Sequence, residues 1–383
     1  MNELNSIQVN PHLLSWAREM CALSPSKAAK ETSINLERLL QLESGDKQPS
    51  IAELKAMSKS YKRTIATLLL KERPVEKSLP QDRRTIDSKE LDSFHFKTIM
   101  AVRKARALLE SLIELKQEFS LPIHRIHISA GLRDSVADLA KQIRQDLQLD
   151  EVRQFDNLNN ALEAYIEKVE SLGVAIFQLS LTQDNLRGFS LVDETIPVIV
   201  IKRNEQASAK IFTLFHELGH IILNDGGICD INFNQNAQQI EKWCNAFAAN
   251  LLIPTWELLN MEIVKKQISS GEKLWSKADL ISLAKHFHVG PLVILRSLLE
   301  QKLTTIEFYQ EKHLSWNKPS FGRAKEHEGR NIAKETIREK GRTYISLAFR
   351  AYDQNKIDLK DLSDFLGVKL SYIPKTRQLL SVI

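Results

Sequence analysis

Between residues 11 and 70, apolar positions recur at three- and four-residue spacing in short bursts: PHLLSWAREMCA, SPSKAAKETS, INLERLLQLESG, SIAELKAMSKSY and TIATLLL. Each is bounded by a capping Ser, Asn or Pro or by a terminal Gly, which predicts a compact all-helical domain over residues 1–75. The periodicity stops in KERPVEKSLPQDRRTIDSKE, where prolines and dense charge predict a linker, placed at 76–91. Helical spacing returns at about 95–117, 132–148 and 157–172, ending on Gly173. GVAIFQLSL, RGFSLVD and IPVIVIK then read as strands of a small antiparallel sheet over 173–202. An apolar helix follows at about 206–224, and another at about 237–252 stops at Ile253-Pro254, since the residue before proline is pushed out of helical geometry. From 276 to 383 the pattern is helical, with a weak strand near VKLSYIP. The expected class is α+β and mainly helical: a core domain over 92–275 carries the small sheet, with an all-α domain before it and a helical region, 276–383, after it.

Length supports this division, since 383 residues exceed one ordinary domain. Hydrophobic content of 43% and charged content of 26% are average for globular chains and exclude disordered or coiled-coil character. No run approaches the roughly 18 apolar residues of a membrane span, and the N-terminus lacks the pattern of a signal peptide, so a cytoplasmic protein without membrane contact is expected. Cys21, Cys229 and Cys244 are too few for a disulfide framework and read as plain thiols. A net charge of +5 permits nucleic-acid contact without requiring it.

The segment SAKIFTLFHELGHIIL changes the picture. It is apolar on every side, which predicts a buried helix, yet it carries His216, Glu217 and His220. Burying these groups without partners costs several kcal/mol. A metal ion supplies such partners, because histidines four apart lie one turn above each other and aim at one point, with Glu217 in reach of a metal-bound water. Gly219 costs about 1 kcal/mol against Ala inside a helix and predicts the close approach of another backbone.

Catalytic zinc takes three protein ligands and one open position. Glu241, at the start of QQIEKWCNAFAANLLIP, is one candidate for the third, with Asn245 and Ala248 continuing its face. By spacing alone it reads equally well as a solvated first-turn carboxylate. Asp225, Asp230 and Cys244 are rivals.

The run from PVIVIKRN through IFTLFHELGHIIL to EKWCNAFAANLLIP resembles the ImmA/IrrE family of metallo-endopeptidases. The resemblance covers roughly residues 170–255. It implies a zincin-like core, zinc held by His216, His220 and Glu241, and Glu217 as the catalytic base. This chain has Asn224 where the family often carries a His. The chemistry implied is peptide-bond hydrolysis, in which zinc polarises the scissile carbonyl and acidifies a water whose proton Glu217 accepts and passes to the leaving amine. The strand IPVIVIK is a candidate for pairing with an extended substrate.

In the first domain, LSPSKAAKETSINLERLLQLESGDKQPSIAELKAMS has the layout of a helix-turn-helix and resembles XRE-type DNA-binding domains in Glu43-x-Gly45 and Pro49-Ser50. DNA binding through residues 11–70 would set Asn35, Arg38 and Gln41 at base edges and Ser26 and Lys27 at phosphates. Glu37 and the near balance of acids and bases there leave a protein-docking or dimerisation role, including a homodimer, as the other reading. LWSKADLISLAKHFHVGPLVILRSLLEQKL is a second helix-turn-helix-like segment, and its His286 and His288 read as structural.

The leading expectation is a zinc endopeptidase acting on a protein substrate, an XRE-type repressor by resemblance, and coupled to a DNA-binding domain in gene regulation. The alternative is a DNA-binding regulator or antitoxin-type protein whose zinc is structural or sensory.

Overall fold

The structure, a computed structural model, describes residues 8–21, 23–74, 96–124, 126–181, 186–192, 194–224, 235–316 and 331–381. These fall into two compact units, one holding the described residues up to 74 together with 96–103, the other those from 104 onward. The expected linker at 76–91 lies outside the described residues.

In the first unit the bursts of the sequence become α1 (Pro11–Glu19), α2 (Pro25–Thr32), α3 (Leu36–Ser44), α4 (Ile51–Tyr61) and the single turn α5 (Ile65–Leu68). Asn10, Ser24, Asn35, Ser50 and Thr64 each cap the helix that follows by accepting from a backbone N–H, and Ser50 with Glu53 closes a full capping box. Gly45 ends α3 at φ +88°, a conformation that favours glycine. Leu13, Leu14, Leu39, Leu42, Met57 and Tyr61 form the core, flanked by the buried Arg18–Glu43 pair. The first turns of α6 (Phe96–Glu118) join this unit, and Arg103 donates to the Met20 carbonyl at 2.8 Å.

The second unit opens with the rest of α6, then α7 (Val136–Asp146), a 3-10 turn over Leu149–Gln154, and α8 (Leu158–Glu170). The strands β1 (Ala175–Leu179), β2 (Gly188–Leu191) and β3 (Val198–Lys202) lead into α9 (Ala207–Ile222) and α10 (Gln235–Leu252). Helix α10 stops just before Ile253-Pro254, as the proline requires. The strands form one sheet in the order β1-β3-β2, and it is mixed: β3 pairs parallel with β1 and antiparallel with β2. The antiparallel expectation is thus corrected for one of two pairings. Alternation and apolar runs say which residues are buried but carry no strand direction. Both edges of β3 are taken, so IPVIVIK cannot accept a substrate strand, and β2 is the edge on its side of the sheet.

Helix α9 lies at the centre, against α8, α10, β2 and β3. Phe215 meets Tyr165 of α8 edge-on at 5.3 Å, and Trp243 stacks on Phe247 along α10. The chain continues through α11 (Thr255–Asn260), α12 (Glu262–Ser270), α13 (Lys277–His286), α14 (Pro291–Glu300) and α15 (Ile306–Trp316). Helices α13 and α14 meet at 97°, the geometry of a helix-turn-helix elbow. Among the described residues no single helix is long and apolar enough to cross a membrane.

The last described segment holds α16 (Ile332–Lys340), α17 (Arg342–Asp353), α18 (Leu359–Leu366), a 3-10 turn over Leu370–Tyr372 and α19 (Ile373–Ser381). The strand expected near VKLSYIP is helical instead: Pro374 sits in the first turn of α19, where no N–H donor is needed. Helix α16 packs on β1. Where α17 starts, Thr343 Oγ1 donates to Glu170 Oε2 at 2.6 Å, and Gly341 leaves room for the other oxygen, since a Cβ there would stand 3.1 Å from it. Burial pushes the Glu170 carboxyl up from 4.5 to about 7, against the pull of Thr343.

A carboxyl whose folded pKa is raised holds its proton more tightly in the folded state. Its contribution to stability is complete below pH 4.5 and is lost as pH rises through about 7. Wild type is expected to lose on the order of 2 kcal/mol of stability over that window, allowing for partial exposure, relative to Glu170→Gln. Urea melts of both proteins at a series of pH values would check this, and parallel curves would refute it.

Candidate metal centre

The 3.6-residue turn of α9 sets His216 and His220 on one face, with their Nε2 atoms 3.3 Å apart. Glu241, in the N-terminal half of α10, completes the group: Oε2 lies 3.3 Å from His216 Nε2 and Oε1 3.3 Å from His220 Nε2. The donor atoms of all three residues lie within 4.8 Å of one another. Glycine at 219 allows this convergence, because the two helices cross so closely that a Cβ there would meet Cys244 Sγ at 3.2 Å and Cα at 3.3 Å. The backbone contact expected at Gly219 is therefore the α9–α10 crossing.

Electrostatics bind the three residues together. Burial works against charge on His216, but its bond to Glu241, the charges of Glu241 and Glu217 and the bond to Asn245 together outweigh this and hold the imidazole above its ordinary value. Burial likewise pushes Glu241 up, and the bonds from His216 and His220 overcome it, holding the carboxyl well below the usual carboxylate range. Asn245, one turn beyond Glu241, adds to the support of His216.

Two imidazoles and one carboxylate are the donor set of the His2Glu zinc sites, so the residues present fit that ion. His220 is fully enclosed, whereas the side chains of His216 and Glu241 are 13% and 14% exposed. Among the described residues, solvent therefore reaches the group through His216 and Glu241 and not through His220.

Glu217 lies against β2, where a Cβ built at Gly188 would stand 3.2 Å from its Oε1. It is only 2% exposed, and burial lifts its carboxyl above the usual range against the pull of the neighbouring histidines. Its Oε2 has no hydrogen-bond partner of good geometry, and neither has the Oγ of Ser190 on β2, although the two side chains are close enough for Ser190 to favour the charged carboxylate. Ser190 and Gly188 carry no motif in the sequence. The only signal was small residues two apart in RGFSLVD, meaningless until β2 is known to lie on α9.

Of the rival ligands, Cys244 is buried at the helix crossing and outside the donor group. Asp225, Asp230 and also Cys229 lie outside the described residues. His286 bonds Glu257 at 2.9 Å, and buried His288 contacts Tyr165 Oη and the Phe155 carbonyl, so both act as structural residues elsewhere in the unit.

Residues 169–299 match the family model of the IrrE N-terminal-like domain, Peptidase_M78. This segment belongs to the ImmA/IrrE family. The match runs from the end of α8 through α14 and takes in the whole His216, His220 and Glu241 group with Glu217, so the ImmA/IrrE-like segment is, by family, a metallopeptidase domain. A search of curated proteins finds no match to the chain.

The residues expected at DNA differ in exposure and in the bonds they already make. Ser26 and Lys27 are exposed on α2, and Gln41 is half-buried on α3. Asn35 is exposed, but its side chain caps α3 by accepting from Glu37 N at 2.9 Å. Arg38, its side chain 31% exposed, is paired with the next helix, donating to both Glu53 oxygens at 2.8 and 3.1 Å and to the Gln48 carbonyl at 3.0 Å. What α3 leaves outward includes Leu36 and Leu40, 39% and 47% exposed.

Proposed function

We propose that this protein is a zinc-dependent endopeptidase that hydrolyses a peptide bond in a protein substrate, a transcriptional repressor of the XRE type. The convergence of His216, His220 and Glu241 beside a buried Glu217 carries the reading. His216, His220 and Glu241 would hold the ion; zinc, when bound, supplies Lewis acidity at the scissile carbonyl and acidifies water. Glu217 acts as general base: its carboxylate takes a proton from the attacking water and delivers it to the departing amine nitrogen, returning to its starting form.

The repressor substrate follows from the resemblance to ImmA/IrrE, whose members relieve repression by cleavage, and from the presence of a helix-turn-helix-like unit on the same chain. That unit provides recognition. With Arg38 bound to Glu53 and Leu36 and Leu40 outward, docking of a protein has the better support over reading of DNA.

The deciding experiment uses the full chain. His216→Ala, His220→Ala and Glu241→Ala are each expected to weaken zinc binding by more than about 100-fold, the upper end for losing even an indirect support of a metal site. Wild type should cleave a co-expressed XRE-type repressor encoded nearby, and the three variants should not. Retained zinc in all three would dissolve the ligand set. A salt-dependent gel shift on operator DNA that survives Leu36→Ala and Leu40→Ala would return the N-terminal unit to a DNA role.

A further inference from the structure

Gly188 and Ser190 stand two apart on β2 and so share one face of the strand. That face lies on α9. A Cβ built at Gly188 would come within 2.6 Å of Thr213 Cγ2, 2.8 Å of the Val200 carbonyl oxygen and 3.2 Å of Glu217 Oε1. A side chain at 188 would therefore push the strand off the helix at the level of the general base.

Ser190 is completely buried. A hydroxyl in such a place is costly unless it finds an acceptor, and alanine would fill the space without that cost. Neither Ser190 Oγ nor Glu217 Oε2 has another partner, and each is within the other's influence. The last torsion of a glutamate is broad rather than staggered, so packing alone does not fix how its carboxylate plane is turned. A base must nonetheless reach its proton at hydrogen-bond distance.

We propose that Ser190 is a positioning residue for Glu217: its hydroxyl donates to one carboxylate oxygen and turns the other toward the metal centre, and Gly188 supplies the clearance that brings β2 this close. The role in catalysis rests on the endopeptidase reading above, but the contact itself does not.

Two measurements on the full-length, zinc-loaded protein separate the contact from the reading. The first needs no activity: a double-mutant cycle of Ser190→Ala and Glu217→Leu, followed by denaturant unfolding. With Glu217 present, Ser190→Ala strands a buried carboxylate and should lower the folding equilibrium constant about tenfold; in the Glu217→Leu background it should have no effect or a stabilising one. Equal effects in both backgrounds overturn the proposal. The second uses a quenched-fluorescent pool of mixed-sequence peptides. Ser190→Ala and Gly188→Ala should each lower kcat by about 10- to 100-fold, with KM and zinc stoichiometry unchanged, the size expected of a supporting residue at a metal site. Wild-type cleavage without coupling in the cycle removes Ser190 from its role and leaves the peptidase standing. Coupling without any cleavage upholds the Ser190–Glu217 contact and sinks the peptidase reading instead.

Discussion

Glu217→Gln is expected to lower peptide-bond cleavage by about 10²- to 10⁴-fold, the contribution of a positioned general base, while zinc stoichiometry and fold stay those of wild type. The substitution is nearly isosteric and removes only the ability to accept a proton. It takes no donor from the metal group, because the Glu217 carboxyl faces β2 and the converging atoms belong to His216, His220 and Glu241. Nor should it unfold the protein. The carboxyl is buried and its charged form disfavoured, so an uncharged amide in the same space relieves a desolvation cost. Loss of cleavage with zinc retained separates an enzyme from a regulator with a structural or sensory ion, for which residue 217 has no chemical task. A Glu217→Gln protein that cleaved the repressor as fast as wild type would end the assignment of the base, and one that lost its zinc would show that the carboxyl supports the metal site.

Much of this architecture is legible in the sequence because its signals are local. Asn10, Ser24, Asn35 and Ser50 announce helix starts through bonds that span two or three residues, and the structure has those caps. The all-apolar surround of His216 and His220 announces a buried helix, and α9 is buried. Glu241 is a different case: spacing left it balanced between ligand and solvated carboxylate, and only a contact between two helices separates those readings. Strand direction, the edge position of β2 and the facing of Ser190 onto Glu217 are likewise properties of pairing across the chain, which periodicity does not encode. Arg38 illustrates the same limit. Its place on α3 suits a base contact, but the partner that claims it, Glu53, belongs to the next helix.

Gly219 turns that dependence on helix contact into a quantitative test. A Cβ at 219 would lie 3.2 to 3.3 Å from three atoms of Cys244, tight enough that Gly219→Ala requires the neighbour to give by a few tenths of an ångström. Alanine also gains up to about 1 kcal/mol of helix propensity over glycine, so the two effects nearly cancel and Gly219→Ala should be close to neutral in stability. Gly219→Val adds two further carbons with a restricted torsion, which Cys244 has no space to accommodate; overpacking of this kind costs about 1–3 kcal/mol. The strain has a specific outlet. Cys244 is one helical turn from Glu241, so moving α10 off α9 at the crossing withdraws the carboxylate from the two histidines it meets at 3.3 Å. Zinc affinity should therefore fall by about 100-fold or more in Gly219→Val, although no ligand has been changed and far-ultraviolet circular dichroism remains that of wild type. Competition against a chromophoric chelator measures the affinity directly. Cys244→Ala placed in the Gly219→Val background removes Sγ, one of the three clashing atoms, and should recover part of the loss. Wild-type zinc affinity in Gly219→Val would mean that the spacing of α9 and α10, and with it the reach of Glu241, is set somewhere other than this crossing.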